Sequence, residues 1–75
     1  MNERELQDTL RDILEELMFA RDGDPDDEVA ELAERTQRIR NLCTFSDAGV
    51  LTENKGLVIE TDDGREYQIT IVRSK

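Results

Sequence analysis

The sequence predicts an α+β fold, an antiparallel αα-hairpin followed by a three-stranded antiparallel β-meander. Three observations carry this. Apolar residues recur every three or four positions as far as about residue 43. From Thr44 onward the period shortens to two. Polar segments containing Gly23, Gly56 and Gly64 punctuate the chain where turns are needed.

Leu6, Leu10, Ile13, Leu14, Leu17 and Met18 are spaced by threes and fours, which places them on one face of a helix over about 2–20. Glu3, Asp8, Asp12, Glu15 and Glu16 take the other face, and acidic residues in the first turn suit the positive end of the helix dipole. Arg21-Asp22-Gly23-Asp24-Pro25 breaks the pattern, with Gly23 suited to a left-handed helix end. Asp24 fits the N-cap of a second helix and Pro25 its first position, where a missing N–H costs nothing. Val29, Leu32, Thr36, Ile39 and Cys43 continue at helical spacing, so this helix is expected to reach about Leu42.

Residues 49–52, 57–61 and 66–73 read as strands, and residues 45–48 join the two halves, with Phe45 plugging the junction. Glu53–Gly56 and Thr61–Gly64 each end in glycine, as expected of a type I turn followed by a left-handed glycine. A three-residue loop at 62–64 pairs Ile59 with Tyr67 and Leu57 with Ile69, gathering apolar residues on one face. The same logic at 54–56 pairs Leu51 with Ile59. The inner face is then Leu51, Leu57, Ile59, Tyr67, Ile69 and Ile71. The whole of 1–75 forms one domain, with a helical hairpin over 1–43 and the meander over 44–75.

A core this small gives a stability margin of only about 3–5 kcal/mol. One cysteine and no histidine rule out an internal disulfide and disfavour a Cys/His metal cluster, so a partner chain is the expected staple. No cofactor is expected. No apolar run approaches the roughly 18 residues that cross a bilayer, and with a lone cysteine and no secretory pattern this points to the cytoplasm.

Residues 1–34 hold thirteen acidic side chains and three basic ones, whereas the net charge of the whole chain is −9. Such a surface repels phosphate backbones and anionic lipid and attracts basic protein surfaces. Asp8, Asp12, Glu15 and Glu16 form the candidate acidic binding face. Val50, Val58 and Val72, on the sheet face that should be wet, form an alternative apolar surface, beside a long edge strand able to accept a strand from another chain. Arg35, Arg38 and Arg40 make a basic cluster near the end of the second helix, able to clamp an anion or to pair internally with Glu31 and Glu34.

Catalysis is disfavoured. Cys43 has no histidine to activate it and sits on an apolar stripe, and a thin domain offers little cleft. Asp22–Glu28 resembles the opening of a calcium loop, but its spacing places Asp27 where glycine is required and Ala33 where glutamate is required. The expected function is that of a small acidic protein-binding module, a homo-oligomer engaging a basic or strand-presenting protein. One alternative is a phage-type anti-defence inhibitor whose carboxylates imitate DNA phosphates. Another is a structural component of a larger assembly.

Overall fold

A computed structural model describes residues 1–23 and 27–75. It shows an α+β fold in which an N-terminal helical region precedes a three-stranded antiparallel sheet. Helix α1 spans Glu3–Arg21, with Asn2 as N-cap accepting the Glu5 backbone N–H at 2.8 Å. Helix α2 spans Asp27–Glu34 and packs on α1. The expected capping roles of Asp24 and Pro25 lie outside the described residues. Gly23 does not take the left-handed conformation; α1 ends instead on Asp22, whose N–H returns to the Phe19 carbonyl while the Gly23 N–H returns to that of Ala20.

The second helix stops well short of Leu42. After Glu34 the chain tightens into successive i→i−3 bonds, from Arg35 to Leu32, Thr36 to Ala33 and Gln37 to Glu34. The buried Thr36 hydroxyl donates to the Ala33 carbonyl at 2.7 Å, and Arg21 reaches across from α1 to donate to the Thr36 carbonyl. Local turns thereby take over the carbonyls that another helical turn would use.

The first strand therefore begins earlier than expected. Strand β1 spans Ile39–Thr44, α3 spans Phe45–Ala48, β2 spans Lys55–Thr61 and β3 spans Glu66–Ile71, in sheet order β1-β2-β3. The meander starts at residue 39 and not at 44, and residues 49–52 form no strand. Leu42, not Leu51, lies opposite Ile59, and Leu51 is fully exposed. The β2–β3 register is the expected one, with Leu57 opposite Ile69 and Ile59 opposite Tyr67. Gly64 adopts φ 83°, as its turn requires. Gly56 lies inside β2 without a positive φ; the second left-handed glycine is Gly49, which caps α3.

The core sits where α1 and α3 meet β1 and β2, around Leu42, Phe45, Leu57 and Val58. Phe45 is buried at the junction, as its position predicts. Leu57 and Val58 are adjacent in an extended strand, so they point to opposite faces. Both are buried, so β2 is covered on both sides. Strand β3 differs. Tyr67 is 50% exposed and Ile69 43%, so the outer half of the expected inner face is only partly covered.

Candidate functional site

The four carboxylates expected to act together on α1 fall into two environments. Arg11 lies 3.6 Å from Asp8 and 3.3 Å from Asp12, which partly neutralises that pair. The hydrogen bond to Asp12 is the largest effect and strengthens the hold of Arg11 on its proton; burial opposes it, and the charges of Asp12, Asp8 and Glu15 add to it. Asp8 is half-buried and also accepts the Gln7 side-chain amide at 3.1 Å. Asp12, Glu15 and Glu16 are exposed, and the exposed Ile13 and Phe19 lie on the same helix. Helix α1 thus presents both carboxylates and apolar side chains to solvent.

The three arginines do not form one cluster. Arg35 follows α2 and lies 3.9 Å from Glu31, the expected internal pairing. Arg38 sits in the turn before β1, 3.3 Å from Asp62 and 3.8 Å from Asp63. Arg40 is on β1 and bonds Glu60 across the sheet. Because β1 begins at Ile39, Arg38 ties the start of β1 to the β2–β3 turn and Arg40 ties β1 to β2, instead of lining one helical face.

The three valines do not share an exposed face. Val58 is 6% exposed, Val50 is half-buried between α3 and β2, and Val72 lies past the end of β3 in solvent. Cys43 is half-buried on β1 opposite Val58. Among the described residues, no three His, Cys, Asp or Glu side chains converge as metal ligands would, and no helix is long and apolar enough to cross a membrane.

An open cleft of about 620 Å³ lies between the N-terminal half of α1, α3 and the segment leading into β2. It contrasts with the expectation that so thin a domain offers little cleft. Arg4, Arg11 and Lys55 line it together with Asp8 and Asp47, and Phe45 contributes to its wall. It is built on Gln7, the only buried side chain of α1. The Gln7 Oε1 accepts the Gly56 N–H at 2.9 Å, where β2 has run past the end of β1. That bond satisfies a backbone group which would otherwise be buried unpaired. The sequence offers little signal for this: a lone glutamine on an apolar stripe is the only trace.

Among the described residues, the β2–β3 turn carries the one carboxylate with a distinct acidity. Asp63 is held below the ordinary carboxylate range, first by the Thr61 hydroxyl and then by the Arg65 backbone N–H, both of which donate to it. A lowered folded-state value means the ionised form stabilises the turn above the unfolded value, and this is lost as pH falls through the folded value. Acid titration should therefore show the turn loosening below about pH 4. Asp63→Asn should remove that part of the pH dependence, as read from the Arg65 amide. An unchanged profile would show that Asp63 does not hold the turn.

Comparison of the chain with protein-family models, curated proteins and solved structures finds no match.

Proposed function

We propose that this chain is a small acidic, non-catalytic protein-binding module whose helical surface engages a basic protein. The observation that carries this reading is the exposure of apolar side chains among solvent-exposed carboxylates on α1 and α2. Phe19 is 83% exposed, and Ile13 and Leu32 are also exposed. They lie beside Asp12, Glu15, Glu16 and Glu28, all of them exposed. Apolar side chains left in water favour association, and the surrounding negative charge selects and steers a positively charged partner. The absence of histidine and the half-buried position of the single cysteine support a role in binding over catalysis.

The test is a charge reversal confined to solvent-facing carboxylates. Asp8 is left in place, because it is half-buried and paired. Asp12, Glu15 and Glu16 are changed to lysine, which forms helix about as well as glutamate. Proteins captured from the native host by the wild type at low salt should be lost with the triple variant. They should also weaken as salt rises, since screening acts over about 8–10 Å at ordinary ionic strength. Capture that is insensitive both to the reversal and to salt would sink the reading.

A further inference from the structure

We infer that the open edge of β3 pairs with β3 of a second copy of this chain, extending the sheet across a two-fold axis. This stands apart from the helical surface proposed above.

The first observation is surface area. A globular monomer of 8.7 kDa exposes about 4,700 Å², whereas this chain exposes 5846 Å². The surplus, about 1,100 Å², exceeds the roughly 800 Å² that each partner contributes to a standard stable interface. Its radius of gyration is 13.4 Å, against about 11 Å for a compact chain of this length. Strand β3 contributes to this extension. Its substantial packing is against β2, and residues 66–70 are exposed on both faces.

The second observation is the direction of the backbone groups. Thr61 N–H donates to the Arg65 carbonyl at 2.9 Å. In the same register follow Ile59 with Tyr67, Leu57 with Ile69 and Lys55 with Ile71. Antiparallel ladders alternate residues that turn both backbone groups toward the neighbour with residues that turn both away. On β2, Gly56 and Asp62 fit this alternation, donating away from β3 to the Gln7 side chain and to the Arg38 carbonyl. Tyr67, Ile69 and Ile71 therefore bond to β2. Glu66, Gln68 and Thr70 turn their N–H and C=O groups to the open edge, a template for another strand.

The third observation is self-complementarity. An isologous pairing centred on Ile69 sets Ile69 against its own copy and Tyr67 against Ile71, apolar on apolar, while Gln68 and Thr70 exchange backbone bonds. Arg65 then faces Arg73, but each already has a carboxylate near it, Asp63 at 3.6 Å and Glu3 at 4.0 Å. Charge opposes this edge less than the helices: the acidic excess lies in residues 1–34, so two helical surfaces would repel strongly, whereas residues 65–75 carry three basic side chains and one acidic, so two such edges repel only weakly.

Light scattering at micromolar concentration should give twice the chain mass. Gln68→Pro removes one outward N–H without touching the β2 ladder, a position where an edge strand tolerates proline. It should halve the mass while circular dichroism keeps its helix and strand signals. In a Cys43→Ser background, Ile69→Cys should form a disulfide-linked dimer on mild oxidation, because facing side chains at a non-hydrogen-bonded pair lie within reach of such a bond. A wild type of monomer mass overturns the inference while leaving the helical binding reading to its own test. A dimer that survives Gln68→Pro and gives no Ile69→Cys cross-link overturns it as well, showing that the copies meet elsewhere.

Discussion

Gly56→Ala is expected to unfold the domain or to lower its stability by more than about 3 kcal/mol, the range of severe overpacking in a closed core. A Cβ at Gly56 would overlap the Ile69 carbonyl oxygen and come within 2.5 Å of the Phe45 ring. The carbonyl belongs to the β2–β3 ladder, and the ring is itself buried, so neither neighbour moves without loss elsewhere. The Gly56 N–H is also bonded to Gln7, which anchors α1 at the same point. Movement of β2 to relieve the clash therefore strains three elements together. Denaturant midpoints read by circular dichroism measure the effect. A midpoint equal to that of wild type would show that Phe45 does not lie against the β2 backbone.

Leu57→Ala is expected to cost about 2–5 kcal/mol, the range for truncating a fully buried leucine. Among the described residues, Leu57 is the one large side chain with no measurable exposure. Truncation leaves a cavity between β1 and β3, opposite Thr44 and Ile69, where the strand ladders restrict collapse. A domain of this size has a margin of about 3–5 kcal/mol, so the variant should be largely unfolded at 37 °C. Ile69→Ala makes the control. At 43% exposure Ile69 makes fewer contacts within its own chain, so the effect on the isolated chain should be clearly smaller. Equal destabilisation at both positions would mean that β2 and β3 are equally covered on the face they share.

How far the candidate surfaces were legible follows from particular residues. The acidic character of α1 is a matter of composition and needs no fold. What composition leaves open is which carboxylates are shielded: Arg11 sits between Asp8 and Asp12 because i±3 and adjacent helical positions bring them together, whereas Glu15 and Glu16 stay open to solvent. The arginines were misplaced for one reason. Once residues 39–44 become a strand, Arg38 and Arg40 face Asp62, Asp63 and Glu60, residues at least twenty positions away that helical spacing cannot link to them.

The sequence by itself determined helix α1 and the β2–β3 hairpin. In both, the deciding contacts are local. Leu6 through Met18 repeat at helical spacing along one helix, and the Gly64 turn permits one register that aligns Leu57 with Ile69 and Ile59 with Tyr67. Only the tertiary structure decided the course of residues 35–52. Ile39 and Cys43 fit a helical step of four, yet Leu42 and Thr44 fit an alternating strand, so the segment satisfies both periods. The choice falls to β2, whose edge groups at Val58 and Glu60 need partners and find them in Cys43 and Asn41. That pairing brings Phe45 to the junction as α3 and leaves Leu51 in solvent. A backbone edge offering a full ladder of hydrogen bonds outweighs a helical continuation worth a few tenths of a kcal/mol per residue.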